Sequence, residues 1–146
     1  MFDAYISDLD TISQEDSERR HAAFQLLRMH RIIKSKENPV ILELGVDKGQ
    51  STKVFLNALS RLDGGLLISI DLKDCSEIAK SEKWRFVKSN SVDEDYILAA
   101  APEILNGVDL IYVDSLHSRN HVLQEILIFF KYLNVGGIVF FDDVDS

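Results

Sequence analysis

Two short stretches carry the residues best suited to chemistry. In the first, Ile111-Tyr-Val runs into Asp114, with His117 three residues further on. In the second, Ile138-Val-Phe-Phe ends in Asp142-Asp143. Each reads as a buried strand that delivers an acid at its carboxyl end. In an open parallel sheet, ligands sit outside the carboxyl ends of the strands, so neighbouring strands can bring three carboxylates together there. Such a cluster of hard oxygens suits a divalent cation, Mg²⁺ first, with Ca²⁺ or Mn²⁺ as alternatives; zinc would want more His or Cys. An imidazole beside it titrates near neutral pH and suits a general base. The plainer reading is that the acids cap helices or lie in solvated loops, and that His117 only caps the helix that follows.

A third stretch, Glu43-Leu-Gly45-Val-Asp-Lys-Gly49-Gln-Ser51, has the logic of a nucleotide-type site. Glycine lets backbone pass close to a ligand, and Ser51 at a helix start offers a hydroxyl and free amides. The stretch is neither Gly-x-Gly-x-x-Gly nor a phosphate-cradling loop ending in lysine-serine, so a pyrophosphate-bearing dinucleotide is disfavoured. Asp71, closing the apolar run Leu66-Leu-Ile-Ser-Ile, is placed to accept hydrogen bonds from ribose hydroxyls; otherwise it caps the next turn.

The elements that must position these groups follow from periodicity. Residues 1–16 are polar and acidic and read as an arm or short helical turn. From Ser17, a candidate cap, to about Lys36, apolar residues recur at helical spacing (Ala22, Leu26, Met29, Ile33), giving an amphipathic helix with a solvated arginine face. Asn38-Pro39 ends it. Strands are expected at 40–44, 66–71, 84–88, 109–113 and 138–141, and helices at 52–62, 93–105 and from 119 or 120 to 133, with a short helix around Glu77–Lys80. His121 reads as a helix-surface residue, and Trp84 as packing or as a stacking surface. Strands alternating with helices give an α/β, Rossmann-like open parallel sheet with helices on both faces. The chain divides into an N-terminal arm and amphipathic helix (1–37) and a domain over 38–146, one globular unit overall.

The sequence has 146 residues, enough for one domain with a real core. Its net charge of −8 argues against nucleic acid and anionic membrane as partners. Cys75 is the sole cysteine, so no intramolecular disulfide forms. No signal peptide or membrane span is legible, which points to the cytoplasm.

Taken together, Glu43-x-Gly45 with Gly49 and Ser51, Asp71, Asn90-Ser91, Asp114-x-x-His117 and Gly136-Gly137 before Asp142-Asp143 resemble the class I S-adenosylmethionine-dependent methyltransferases. Within these, the metal-dependent O-methyltransferases are most similar, a group that includes catechol O-methyltransferase and macrocin-type sugar O-methyltransferases. The resemblance covers about residues 38–143. It implies strand order 3-2-1-4-5 and S-adenosylmethionine as cofactor. It also implies that Glu43, Gly45 and Ser51 line the methionine end with Gly49 in the same loop, that Asp71 holds the ribose, and that Ser91 lies near the adenine. Asp114 would flank the cofactor and, with Asp142 and Asp143, hold magnesium, while His117 would be the base. The acceptor would be a small hydroxylated molecule, a sugar among the candidates. The family's usual C-terminal strands are not in this sequence. The fifth strand is therefore expected to be an open edge, and a homodimer is one way to cover it. The alternatives are a cofactor-binding module without turnover, a fragment of a longer methyltransferase, and a nicotinamide oxidoreductase.

Overall fold

The computed structural model describes residues 1–114 and 118–142. Helices α1 (Asp3–Ser13) and α2 (Arg20–Lys34) lead into β1 (Val40–Leu44), α3 (Gln50–Ser60), β2 (Leu66–Asp71) and β3 (Trp84–Lys88). Then come α4 (Glu94–Ala100), a 3₁₀ turn (Pro102–Asn106), β4 (Val108–Val113), α5 (Arg119–Phe129), a second 3₁₀ turn (Phe130–Tyr132) and β5 (Leu133–Phe141). All four strand pairings are parallel, in the order β3-β2-β1-β4-β5. The Rossmann-like sheet read from the sequence is the observed one.

Alternation along each strand sends side chains to opposite faces, which produces two cores. Ile41, Leu67 and Leu110 pack under α1, α2 and α3 with Met29, Ile33, Phe55 and Leu59. Leu42, Leu44, Ile68, Ile70, Ile111 and Val113 pack on the other face with Ile97, Ile104, Val122 and Phe129 from α4, its 3₁₀ turn and α5. The helices of the first face are also tied by polar groups. The Asn57 side chain donates to the Met1 carbonyl (2.6 Å) and the Asp3 carboxylate (2.8 Å), while its oxygen meets His30 Nε2 at 2.7 Å.

Five expectations need correction. Residues 1–16 contain a full helix, because Phe2, Tyr5, Ile6, Leu9 and Ile12 form an apolar stripe that joins the first core. No helix forms around Glu77–Lys80; Asp74 takes the Ser76 amide and hydroxyl (3.0 and 2.6 Å) and fixes a turn instead. Pro102 divides the expected 93–105 helix into α4 and a 3₁₀ turn. The strand expected at 138–141 begins earlier, at Leu133, so Asn134 and Gly136-Gly137 lie within β5, where the register slips. While β4 advances from Val108 to Leu110, β5 advances from Leu133 to Ile138, with Gly136 at φ 81°. Ser17 does not cap α2, whose first residue follows Arg19. Among the described residues no helix is long and apolar enough to cross a membrane.

Candidate functional site

Hydrogen bonding continues past the ends of β1, β4 and β5 and fixes the site. The Gly45 amide donates to Ile70 (2.9 Å), the Asp114 amide to Leu44 (3.0 Å) and the Asp142 amide to Val113 (3.0 Å). The parallel ladder thus carries Gly45, Asp114 and Asp142 one step beyond β1, β4 and β5, side by side along the carboxyl edge.

The loop after β1 is shaped by close approach. Gly45 adopts φ 101°, and a Cβ there would lie 2.6 Å from the Asp114 Cβ. Gly49, at φ 82°, lies against Ile78 and precedes α3. Asp71 organises the loop from the next strand: one oxygen accepts the Val46 and Asp47 amides (2.8 and 3.2 Å), and the other accepts the Lys73 amide at 2.9 Å. Asp47 is held in the left-handed region, at φ 53°.

Beneath the loop, Glu43 is fully buried. It points to the α3 face, where Ser51 (2.5 Å) and Thr52 (2.7 Å) donate to it from the first turn of the helix. Ser69 of β2 donates to it at 2.7 Å and in turn accepts from Trp84 Nε1 at 2.9 Å. Two strands and a helix N-terminus therefore meet on one carboxyl group. Burial pushes that carboxyl up to about 7, with the Asp114 charge adding and the three hydroxyls opposing. A folded-state value above the unfolded one means that the native protein binds the extra proton, so stability falls as pH rises from about 4.5 to 7. A shift of that size is worth about 3 kcal/mol. Glu43→Gln is expected to flatten this part of the stability–pH curve, measured by urea denaturation from pH 5 to 8. A wild-type curve without that fall would contradict the assignment.

Two cavities flank the loop. The larger, of about 210 Å³, lies between α2 and the strand ends. His21, Gln25, Leu26 and Met29 of α2 form one wall, and Val46, Asp47, Ser51, Tyr112, Asp114, Phe141 and Asp142 form the other. Burial, reinforced by the charges of Asp142 and Asp114, pushes the Tyr112 phenol up, so it stays protonated and can donate. The smaller cavity, of about 40 Å³, is bounded by Gly45, Ile70, Asp71, Leu72, Ser89, Asn90, Ser91 and His121.

Of the residues singled out in the sequence, Gly45, Asp71 and Ser91 share the smaller cavity, and Ser51, Asp114 and Asp142 share the larger. His117 and Asp143 lie outside the described residues. Not singled out were Thr52 and Ser69 beneath Glu43, and the α2 wall. The His21, Gln25, Met29 spacing on α2 was the available signal for that wall. His121 is not a plain surface residue, since its Nε2 lies 2.9 Å from Ser91 Oγ inside the smaller cavity.

A five-stranded parallel sheet with a glycine loop after β1, an acid closing β2 and two cavities at the strands' carboxyl ends has the architecture of the doubly wound class, in which ligands sit at this edge. The chain belongs to the methyltransferase-domain family, whose model matches residues 42–144. A solved structure with the same fold is MycE, the methyltransferase of the mycinamycin biosynthetic pathway, in complex with Mg, SAH and mycinamycin VI. It has a TM-score of 0.71 and 19% identity over 94% of this chain. The chain spans 38% of the length of MycE. CalS11, a TDP-rhamnose 3'-O-methyltransferase of calicheamicin biosynthesis, has a TM-score of 0.66 and 18% identity, covering 98% of this chain and 78% of its own. A protein of Acanthamoeba polyphaga mimivirus is 33% identical over 57 residues, which is 39% of this chain and 25% of the viral one.

Proposed function

We propose that this chain transfers the methyl group of S-adenosylmethionine to a hydroxyl oxygen of a small acceptor, a sugar among the candidates, with help from a divalent cation. One observation carries the reading. The loop 45–49 separates a cavity lined by Asp71 and Ser91 from one lined by Asp114 and Asp142. A cofactor laid across that loop puts its adenosine on the first side and its methionine end on the second, where an acceptor has room beside α2.

The donor set fits a hard cation: Asp114 and Asp142 open on the same cavity and offer only oxygen. Among the described residues no group of three such side chains is placed to hold a metal, so the proposed third ligand is Asp143. When bound, such a cation supplies Lewis-acid polarisation of the acceptor hydroxyl. The chain's own groups do the rest. Asp71 accepts from the ribose hydroxyls, Gly45 lets the backbone approach the cofactor, and Tyr112 donates to the acceptor. His117, three residues beyond Asp114, is the proposed base for the departing proton. MycE, solved with Mg and SAH, and CalS11, which acts on a TDP-sugar, support the metal and the acceptor class.

Incubation with methyl-labelled S-adenosylmethionine, Mg²⁺ and a panel of sugars and catechols tests the reading. Label transfer that is lost with chelator and in Asp142→Asn is expected. Binding without transfer to any acceptor would favour a cofactor-binding module. A homodimer through the β5 side of the sheet is also proposed, with a dimer expected by light scattering at micromolar concentration; a monomer there contradicts it.

A further inference from the structure

The larger cavity has two walls of different origin. One is the carboxyl edge of the sheet, with Tyr112, Asp114 and Asp142; the other is a face of α2, where His21 and Gln25 stand one helical turn apart beside Leu26 and Met29. Helix α2 precedes residues 42–144, the part of the chain that matches the methyltransferase-domain family, so this wall is built by the N-terminal segment. It is also held in place. Met29 and Ile33 are fully buried in the first core, and His30 Nε2 lies 2.7 Å from Asn57 Oδ1 of α3. Side chains carried on a packed helix are placed more precisely than those on a loop. His21 and Gln25 are themselves exposed, so neither is part of the core.

We propose that His21 and Gln25 select the acceptor, by hydrogen-bonding hydroxyl groups other than the one that is methylated. The inference rests on the methyl-transfer reading above. At about 210 Å³ the cavity is smaller than the roughly 300–1,000 Å³ of a site for a drug-sized ligand, so it suits a single ring beside the cofactor's methionine end. A ring whose reacting hydroxyl lies toward Asp114 and Asp142 turns its far edge to α2. There the Gln25 amide offers donors and an acceptor, and the neutral His21 imidazole one of each. A ring with several hydroxyls, such as a monosaccharide, satisfies both groups and lays its C–H face on Leu26 and Met29. Catechol carries its two hydroxyls on adjacent carbons. With these at the carboxylates, only C–H faces α2, and His21 and Gln25 lose water without gaining a partner. A site built to hydrogen-bond a hydroxyl rejects a ligand lacking it far more strongly than an apolar pocket rejects a misfit.

Ligand-observed NMR on the full chain, saturated with S-adenosylhomocysteine and Mg²⁺, tests this with glucose, rhamnose and catechol as probes. Saturation transfer to at least one of the sugars is expected, and less to catechol. Gln25→Leu and His21→Leu are each expected to weaken sugar binding roughly fivefold or more, the worth of one hydrogen bond, and to leave catechol unaffected. His21→Gln keeps a donor and an acceptor and is expected to restore most of the sugar signal. In all three variants the melting temperature and the calorimetric affinity for S-adenosylhomocysteine are expected to match wild type, since the positions are exposed and face the acceptor side. Undiminished sugar binding in both leucine variants would overturn the inference alone. So would a wild-type chain that binds S-adenosylhomocysteine but prefers catechol or binds neither sugar, or an equal loss of S-adenosylhomocysteine affinity in the leucine variants. Failure of the folded wild-type chain to bind S-adenosylhomocysteine would overturn the methyl-transfer reading and this inference with it.

Discussion

Gly45→Ala is expected to lower the melting temperature by roughly 5–15 °C and to remove measurable cofactor binding. The added methyl would stand 2.6 Å from the Asp114 Cβ and 3.4 Å from one of its carboxyl oxygens, at a backbone φ of 101° that side chains rarely adopt. Strain of this kind, with the displacement needed to relieve it, costs about 2–4 kcal/mol, and in a domain of this length each kcal/mol shifts the melting temperature by roughly 2–4 °C. The displaced group is itself part of the site, so stability and binding fall together. Gly136→Ala is the control. Its φ is also positive, at 81°, but nothing lies within 4 Å of its would-be Cβ. It is expected to cost only about 1 kcal/mol and to bind cofactor normally. Equal effects of the two substitutions in thermal melts and calorimetry would show that backbone strain alone, not contact with Asp114, explains the result.

Asp71→Ala is the second large effect expected. The carboxylate accepts three backbone amides, those of Val46 and Asp47 in the loop after β1 and of Lys73 after β2, at 2.8–3.2 Å. Without it, the buried Val46 amide loses its partner and the loop loses the hold that sets the cavity wall. A bound ribose would lose its acceptor at the same time. Affinity for S-adenosylmethionine is expected to drop by more than about a hundredfold, or roughly 3 kcal/mol. Measured well below the melting temperature, retention of wild-type affinity would mean that Asp71 serves the loop and not the cofactor.

Much of this arrangement was legible in the sequence because its cause is local. The runs Val40–Leu44, Leu66–Asp71 and Ile111–Val113 are apolar and β-prone, and an acid or glycine closes each. Parallel pairing then places Gly45, Asp71 and Asp114 at one edge without further information. The groups that were missed are placed by contacts distant in sequence. Nothing near His121 announces that Ser91, thirty positions earlier, would meet its ring; only Glu125 four residues on gave a hint. Likewise, the role of Ser69 and Trp84 depends on β2 and β3 lying beside Glu43. The first helix was obscured by composition, since Asp3, Asp8 and Asp10 mask the apolar stripe on its inner face. The turn after β2 replaced an expected helix because Asp74 satisfied the Ser76 amide locally, a competition that periodicity does not register.

Calorimetric titration of the wild-type chain with S-adenosylmethionine, with and without Mg²⁺, tests the central claim most directly. Binding in the micromolar range is expected, with a separate Mg²⁺ heat that disappears in Asp142→Asn. A chain that is folded by circular dichroism yet gives no heat under either condition, or prefers NADH, would contradict the account.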